Sequence, residues 1–390
     1  MKDFTYYAPT KMIFGKDKEK TVGDVIKSYG YKKILLHYGQ QSIKKTGLYD
    51  TVTESLTKAG IAYIELPGAE PNPKTPLVRE GAALCKKEGV ELVLAVGGGS
   101  VADSAKVIAI CALEDNDPFD YPTKKATAAH SLPVGIILTL SASGSEMSQS
   151  AVLTEPETKE KRGFNCEHNR PLFSILNPEL TYTVSPFQTG CGIVDIMMHT
   201  MERYFAPGEH CDLTDGIALS LLRSVVDAGR AAMQNPNDYA ARATLMWAGS
   251  VSHNDLTSCG KNYILVCHQL EHILSGEYDF VAHGAGLSVI FPAWCKYVYK
   301  HDQKKFAAFA KVVFDVTDGP LEKMAEEGVL RCEAYFKEIK MPIRMAELDV
   351  HGADFADMAE KCTYNGTRTL PGIMELGKKE IEEIFRLTLA

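Results

Sequence analysis

The sequence predicts an α/β N-terminal domain with a doubly wound parallel sheet, followed by an all-α C-terminal domain. In the first half, short apolar runs alternate with amphipathic helical segments, a pattern typical of a parallel sheet covered on both faces. From Gly192 onward the strand-like runs disappear and a helical periodicity takes over. We therefore place the α/β domain at residues 1–188 and the helical domain at residues 189–390.

Each predicted element follows from its local pattern. Apolar runs predict strands at residues 11–14, 32–38, 62–66, 91–96 and 134–138. Helical periodicity predicts helices at residues 46–59, 77–88, 193–204, 212–234, 236–255, 303–313 and 320–338. The segment 67–76 contains four prolines, so we expect an irregular loop there.

Composition excludes several classes of function. The net charge of -8 and pI near 5.8 argue against a nucleic-acid partner or an anionic membrane surface. The N-terminus lacks the apolar core of a signal peptide, and no run reaches the length of a membrane span, so we expect a cytoplasmic protein. Ten cysteines without a Cys-x-x-Cys pair indicate reduced thiols rather than a disulfide scaffold.

A set of histidines and one aspartate in the second half has the spacing of metal ligands. Asp195 and His199 lie four residues apart, as do His268 and His272, and His283 follows. On a helix this spacing places both side chains on one face. One carboxylate with two or three imidazoles suits Fe²⁺, Zn²⁺ or Mn²⁺. A hydrogen-bonded core role is the simpler interpretation of any one histidine, but five such residues together favour a metal.

A glycine-rich turn in the first half has the features of a phosphate-binding loop. Gly97, Gly98 and Gly99 follow a buried strand, and a helix is predicted to start with Ser100 near its N-cap. Backbone N–H groups at such a helix start favour an anion, and a diphosphate is the natural occupant. Neither the Gly-x-Gly-x-x-Gly nor the P-loop pattern is present, so a strand-to-helix turn without a ligand is the alternative.

Two further segments could contribute to a cofactor cleft. The segment Thr139 to Glu146 carries four hydroxyl side chains after a predicted strand, where open α/β sheets usually bind ligands. It could equally be a polar turn in which Ser143 or Ser145 caps a helix. The segment 159–163 is predicted to be a solvated hairpin or loop, from which Lys161 could reach a ribose or a phosphate.

Together these motifs resemble the iron-dependent (group III) alcohol dehydrogenase family over essentially the whole chain. The resemblance rests on Gly97-Gly-Gly-Ser100 with Asp103, the Thr139–Glu146 segment, Asp195-x-x-x-His199, and His268-x-x-x-His272 followed by His283-Gly. The sequence around Asp195 and His283 is most similar to the NADPH-dependent butanol dehydrogenase and aldehyde reductase subgroup. The resemblance implies a Rossmann-like N-terminal domain, a dehydroquinate-synthase-like architecture and a homodimer.

The resemblance also assigns roles within the site. It implies that Asp195, His199, His268 and His283 hold one divalent metal, with Fe²⁺ expected and Zn²⁺ compatible. It places His272 beside the metal and the nicotinamide, where it is the candidate catalytic residue for relaying or orienting a proton; a structural role beside the ligands is the alternative. This chain departs from the family pattern by one apparent extra residue between His272 and His283, which affects the expected loop geometry.

The end of the second predicted strand bears on the choice of cofactor. NAD-preferring enzymes commonly place a carboxylate there, whereas this chain has Gly39 followed by Ser42, Lys44 and Lys45. Hydroxyls and lysines can receive a 2′-phosphate, so we predict NADP(H) rather than NAD(H). The predicted cofactor-binding residues are Gly39, Ser42, Asn72, Gly97, Gly98, Gly99, Ser100, Asp103, Thr139, Ser143 and Lys161.

The predicted function is a metal-dependent, NADP(H)-linked alcohol dehydrogenase or aldehyde reductase of the butanol dehydrogenase type. Its substrates would be short to medium aliphatic alcohols and aldehydes, with hydride transfer assisted by metal polarisation of the substrate oxygen. One alternative is an NAD-linked polyol or diol dehydrogenase of the same superfamily. A dehydroquinate-synthase-like lyase is disfavoured because the segments flanking the metal ligands contain only Lys261 as a cationic residue. A non-catalytic dinucleotide sensor is disfavoured by the complete ligand set.

Overall fold

The chain divides between Val184 and Ser185 in the computed structural model, which describes residues 1–389. Residues Tyr7–Val184 form an α/β unit, and the residues from Ser185 onward form a helical unit. The division lies slightly before the predicted boundary because a helix begins there. The Ser185 hydroxyl accepts a hydrogen bond from the backbone N–H of Gln188 at 3.2 Å, and Pro186 occupies the first helical position.

The first six residues belong to the helical unit, although the sequence placed them with the α/β domain. The backbone N–H of Lys2 donates to the carbonyl of Gly260 at 3.0 Å. The side-chain amide of Asn254 donates to the Tyr6 hydroxyl at 3.2 Å. Both bonds join segments far apart in sequence, which local periodicity cannot reveal.

The α/β unit contains a six-stranded parallel sheet and a separate two-stranded antiparallel hairpin. The strands are β1 (Lys11–Phe14), β2 (Lys33–Tyr38), β3 (Ala62–Leu66), β4 (Leu92–Gly97), β5 (Val134–Leu138), β6 (Ser150–Glu155), β7 (Glu160–Asn165) and β8 (Phe173–Leu176). The sheet order is β1-β8-β5-β4-β2-β3, and β6 pairs with β7. The helices are α1 (Val22–Ser28), α2 (Ser42–Lys45), α3 (Leu48–Ala59), α4 (Thr75–Glu88) and α5 (Gly99–Cys111).

Helices cover both faces of this sheet, as the apolar strands require. Along β2, Ile34 and Leu36 join the cluster that contains α1 and α3 side chains, whereas Leu35 joins the cluster that contains α4 and α5. Alternate residues of a strand point to opposite faces, so a strand apolar at every position is buried on both. The predicted doubly wound fold class is therefore confirmed.

The predicted strands correspond to β1, β2, β3, β4 and β5, each within one residue. The strand β8 was not predicted. It has only four residues, Phe-Ser-Ile-Leu, and its polar member Ser174 is buried, so no clear period marks it. Ser174 is accommodated because its hydroxyl donates to the backbone carbonyl of Glu146 at 2.6 Å.

The sheet has a topological switch point between β2 and β4. These strands are neighbours, with Tyr38 opposite Val96, but the chain leaves β2 toward the α3 face and leaves β4 toward the α5 face. The two connections diverge at the carboxyl edge of the sheet and leave a crevice, the usual ligand position in such folds. Gly39 follows β2 and Gly97 ends β4, so both predicted cofactor segments flank this crevice.

The second unit is built from nine described helices. They are α6 (Pro186–Tyr204), α7 (Asp212–Gln234), α8 (Tyr239–Ser252), α9 (Val266–Glu277), α10 (His283–Val298), α11 (Gln303–Phe314), α12 (Leu321–Glu338), α13 (Phe355–Cys362) and α14 (Lys378–Leu387). Every residue of α6 from Thr189 to Tyr204 is buried, so α6 is the central helix of this unit. Among the described helices, none combines the length and apolar character that a membrane span needs.

Candidate functional site

The metal-ligand candidates converge within the helical unit. Asp195 and His199 lie one turn apart on α6, and Asp195 Oδ1 lies 3.4 Å from His199 Nδ1. The same carboxylate oxygen lies 3.5 Å from His268 Nε2 on α9 and 3.8 Å from His283 Nε2 at the start of α10. Three helices therefore bring one carboxylate oxygen and three imidazole nitrogens together.

The chemistry of these atoms fits a divalent metal. Asp195 Oδ1, His199 Nδ1 and His268 Nε2 are buried and have no hydrogen-bond partner. Buried polar atoms normally do have a partner, so three such atoms close together have the character of ligands for one ion. A tetrahedral ion with bonds of about 2.1 Å holds its donors roughly 3.4 Å apart, close to the separations observed.

Electrostatics distinguish two of the histidines. Burial, with the charges of neighbouring histidines and Arg203, lowers the pKa of His199 well below its usual value. His199 is therefore neutral, the form in which imidazole binds a metal. Burial opposes protonation of His268 as well, but the carboxylates of Glu202 and Asp195 outweigh it and raise its pKa to about 9. A metal ion must therefore displace a proton from His268.

Two buried glutamates that the sequence analysis missed hold the histidine rings. Glu202 on α6 accepts a hydrogen bond from His268 Nδ1, and Glu271 on α9 accepts one from His283 Nδ1. Their side chains are at most 3% exposed. Carboxylates commonly orient metal-binding imidazoles in this way. The sequence signal was a glutamate three residues after a ligand histidine, in His199-Thr-Met-Glu202 and His268-Gln-Leu-Glu271.

His272 lies beside the cluster rather than within it. Its ring centroid is 6.5 Å from that of His268 and 5.5 Å from that of His283, and its side chain is partly exposed. His253, which the sequence analysis did not single out, is a further neighbour: its ring lies perpendicular to that of His199 with centroids 4.0 Å apart. The apparent extra residue before His283 is accommodated without removing His283 from the cluster.

The N-terminus of α10 approaches its neighbours closely because two glycines follow His283. A Cβ atom on Gly284 would overlap the backbone of Cys191 on α6, and one on Gly286 would lie 2.8 Å from Glu271 Cγ. Contacts this short require a neighbour to move. The His283-Gly-Ala-Gly sequence thus allows α10 to bring His283 to the carboxylates of α6 and α9.

The predicted phosphate loop lies where expected, with one correction. The residue at the N-cap of α5 is Gly98, so the helix begins before Ser100, and no side chain caps it. A Cβ on Gly99 would overlap the Ser143 hydroxyl oxygen. The backbone of the loop and the segment after β5 are therefore packed together, and Gly99 permits that packing.

The segment after β5 is a turn held by an acidic side chain. Thr139 continues from β5, and its backbone N–H donates to the Gly97 carbonyl at 3.0 Å. Asp103 Oδ1 accepts from the Ser145 hydroxyl at 2.6 Å, and its other oxygen accepts from the Val152 N–H at 3.0 Å. Asp103 thus braces this turn. No described helix starts between residues 140 and 150, so the helix-cap alternative was wrong.

The remaining predicted cofactor residues also lie in the α/β unit. Gly39 follows β2 and Ser42 begins α2. Asn72 is buried with φ of 52° in the loop after β3. Lys161 lies on β7 opposite Thr154. The predicted hairpin is present as β6 and β7, but Lys161 itself is only 7% exposed, so the prediction that it is solvated was wrong.

A carboxylate from the neighbouring strand lies close to the end of β2, where the sequence suggested none. Glu65 on β3 accepts hydrogen bonds from the hydroxyls of Tyr38 at 2.5 Å and Tyr49 at 2.6 Å. Burial opposes ionisation, but these bonds and the charge of Lys44 lower the pKa of Glu65, so it stays anionic. The Lys44 ammonium lies 4.7 Å from the centre of the Tyr49 ring.

The one lysine near the metal-ligand segments is engaged elsewhere. The buried Lys261 ammonium donates to the backbone carbonyls of Arg203 and Tyr204 at 3.1 Å and pairs with Asp215. It therefore caps the C-terminal end of α6, a structural role. Lys261 is therefore not free to bind an anionic substrate, as the lyase alternative would need.

Comparison with known proteins is consistent with this geometry. The iron-containing alcohol dehydrogenase model matches residues 9–178, and the model for the C-terminal part of the Fe-containing alcohol dehydrogenase family matches residues 189–389. The chain is 39% identical to the NADH-dependent butanol dehydrogenase A of Clostridium acetobutylicum, over 99% of each chain. It is 30% identical to the NADPH-dependent aldehyde reductase YqhD of Escherichia coli, over 95% of each.

A solved structure shows the same architecture. The crystal structure of NADH-dependent butanol dehydrogenase A from Thermotoga maritima superposes with a TM-score of 0.96 at 36% identity, covering 100% of this chain and 99% of that one. This match confirms the predicted α/β-plus-helical, dehydroquinate-synthase-like fold class. With both family models matching almost end to end, the chain belongs to the iron-containing alcohol dehydrogenase family.

Proposed function

We propose that this protein interconverts short to medium aliphatic alcohols and aldehydes, using a divalent metal and NADP(H). The observation that carries the proposal is the convergence of three unpaired buried donor atoms, on Asp195, His199 and His268, with His283 Nε2 beside them. Membership of the family supports an iron-type alcohol dehydrogenase activity. The substrate range, the metal ligands and the cofactor preference are the proposed details.

The residues of the helical unit would share the chemical work. Asp195, His199, His268 and His283 would hold the ion, and the neutral His199 leaves the ligand set with one anionic oxygen. When bound, the ion supplies Lewis acidity toward the substrate oxygen, and the nicotinamide accepts or supplies hydride. His272, partly exposed beside His283, would hold or orient a proton for the substrate oxygen.

The preference for NADP(H) rests on the end of β2. Gly39 leaves that position without a carboxylate, and Ser42, Lys44 and Lys45 follow it. The relatives differ in cofactor: the relative at 39% identity is an NADH-dependent enzyme, and the one at 30% identity is an NADPH-dependent enzyme. The anionic Glu65 also lies within hydrogen-bonding distance of the Tyr38 hydroxyl.

A rate comparison tests the cofactor proposal. NADP(H) preference predicts a higher kcat/KM with NADPH than with NADH in butanal reduction. Replacing Lys44 or Lys45 with alanine should then lower kcat/KM for NADPH by about tenfold, because a charge-assisted bond to phosphate is lost. The NADH value should stay unchanged. A higher kcat/KM with NADH, unaffected by either substitution, would establish the opposite preference.

One experiment separates the candidate functions. Purified protein is incubated with Fe²⁺ or Zn²⁺, reduced dinucleotide and butanal, and loss of reduced-nicotinamide absorbance is followed. The proposal predicts turnover that a His199→Ala variant abolishes together with metal content. Faster oxidation of 1,3-propanediol or glycerol with NAD would favour the diol or polyol alternative. Absence of turnover with either cofactor across short aldehydes would refute the proposal.

We also propose a homodimer. β1 is at one edge of the six-stranded sheet, and an edge strand offers backbone groups to a second chain. Sedimentation equilibrium should give twice the chain mass of 42.8 kDa. A monomer at micromolar concentration would contradict this proposal without affecting the catalytic one.

A further inference from the structure

We infer that Glu202 and Glu271 are positioning residues that set the affinity and geometry of the metal site, each by holding the histidine of the next ligand-bearing helix. Glu202 on α6 holds His268 of α9, and Glu271 on α9 holds His283 of α10. This inference rests on the proposed function, because it concerns the same metal. It concerns two residues other than the four proposed metal ligands.

The two glutamates occupy equivalent places on successive helices. Each lies three residues after a ligand histidine, so it shares a helix face with that histidine and points toward the same space. The two pairs are His199 with Glu202 on α6 and His268 with Glu271 on α9. The second carboxylate holds His283, so the His-x-x-Glu pattern links all three helices in series from α6 to α10.

Glu202 also fixes where α9 begins. Its Oε1 accepts from the backbone N–H of Cys267 at 2.6 Å, and its Oε2 accepts from the N–H of His268 at 3.2 Å. These are among the first N–H groups of α9, whose N-cap residue Leu265 supplies no side-chain hydrogen bond. The Glu202 carboxylate thus caps α9 and orients the His268 ring. The other side of that ring faces the Asp195 oxygen, which also belongs to α6.

The fold reserves space for Glu271. Its side chain is fully buried, and a Cβ on Gly286 would come within 3.0 Å of its Oε1. His283 is the first residue of α10 and its side chain is 26% exposed, so its own helix constrains it little. The hydrogen bond to Glu271 keeps the proton of His283 on Nδ1 and leaves the Nε2 lone pair free for a metal. It also orients the ring so that Nε2 faces Asp195.

Glutamine variants separate charge from hydrogen bonding. In Glu271→Gln, the amide oxygen can still accept from His283 Nδ1, so the change removes mainly negative charge. In Glu202→Gln, the amide nitrogen must face an N–H donor, because both carboxylate oxygens of Glu202 are acceptors. Loss of such partners typically weakens metal binding 10- to 100-fold, so we expect about 10-fold for Glu271→Gln and about 100-fold for Glu202→Gln.

The test uses Co²⁺ as probe in metal-free full-length protein. Affinity is measured by competition with a chromophoric chelator, and the visible absorption of the Co²⁺ form reports the ligand field at saturation. The matched control is Glu333→Gln, which alters a buried carboxylate bound to Lys296 and Arg344 in the same helical unit. The control should keep wild-type affinity and spectrum, while both test variants lose affinity and shift the bands.

The outcomes are distinguishable. If the wild type binds no Co²⁺, the proposed function itself fails. If the wild type binds Co²⁺ and both variants match it within twofold with superimposable spectra, the positioning role is refuted. If Glu202→Gln fails to fold because α9 loses its cap, Glu271→Gln alone decides the inference. An equal loss of Co²⁺ affinity in Glu333→Gln would also refute the inference, because the effect would then follow from changing any buried carboxylate of the helical unit.

Discussion

The imidazole of His37 on β2 lies 2.6 Å from the hydroxyl of Ser104 on α5, and both side chains are buried. His37 Nδ1 lies 2.9 Å from the carbonyl of Leu66, which can only accept, so the ring proton is on Nδ1. Nε2 then accepts a hydrogen bond from the Ser104 hydroxyl. One neutral histidine thus connects β2, the end of β3 and the helix that begins at the predicted phosphate loop.

This arrangement predicts an acid-sensitive contribution to stability. Burial lowers the pKa of His37 from 6.5 to about 4, although the bond to Leu66 opposes the shift. Above pH 6.5 the ring is neutral in both folded and unfolded chains, and its contribution is complete. Between pH 6.5 and about 4 only the unfolded chain binds the proton, so roughly 3 kcal/mol is lost as the pH falls. The free energy of unfolding, measured by denaturant titration at pH 7 and pH 4, should decrease less in His37→Asn than in the wild type. Equal decreases in the two proteins would contradict the prediction.

Gly99→Ala should weaken dinucleotide binding without affecting the metal. The new Cβ would overlap the Ser143 hydroxyl, so the loop or the segment after β5 must move. We expect at least a tenfold rise in Kd for the dinucleotide, about 1.4 kcal/mol, in a fluorescence titration. The double variant Gly99→Ala with Ser143→Gly removes the clashing atoms, so its Kd should equal that of Ser143→Gly alone. No change in the single variant would show that a Cβ is tolerated there.

A bound metal should stabilise the protein, because it supplies partners to the buried donor atoms of Asp195, His199 and His268. A ligand at a hundred times its Kd raises the free energy of unfolding by about 2.7 kcal/mol. We expect such an increase with Zn²⁺, reversed by a chelator and absent in His199→Ala. The control His130→Ala changes a histidine whose side chain is 76% exposed and should respond as the wild type does. Stabilisation that persists in His199→Ala would place the metal elsewhere.

Gly286→Ala should lower metal affinity even though it removes no polar side chain. Its Cβ would lie 2.8 Å from Glu271 Cγ, so the carboxylate that holds His283 must shift. Competition with a chelator should show a loss of several-fold or more in Co²⁺ affinity, within the range seen when such carboxylates are removed. The control Gly216→Ala is on α7 with no atom within 4 Å of the new Cβ. It should leave affinity unchanged and stabilise the helix by up to about 1 kcal/mol.

Local sequence was sufficient for most elements of the fold. The runs that became β3 and β5 are short, apolar and bounded by turn residues, so their limits were predictable. The unpredicted strand β8 is held by neighbours from distant parts of the chain, since Phe173 pairs with Gly135 on one side and Lys11 on the other. Strand pairing of this kind is decided by tertiary context rather than by local pattern.

The same division applies to the candidate site. Spacing alone indicated that Asp195 and His199 share one helix face. The family resemblance added His268 and His283 as further ligands. Glu65 was missed because it lies on a neighbouring strand, close in space to Tyr38 but distant in sequence. Lys161 appeared solvated because it is flanked by charged residues, whereas the fold buries it.

The sequence by itself determined the fold class and the residue types able to hold a metal, because these depend on periodicity and on spacing within single helices, and its motifs indicated the family by resemblance. Only the tertiary structure decided which carboxylate holds which histidine. His268 is bound by Glu202 and His283 by Glu271, pairs that join different helices. The physical reason is burial: a carboxylate removed from water must find a partner, and the packing of α6, α9 and α10 determines which imidazole is within reach.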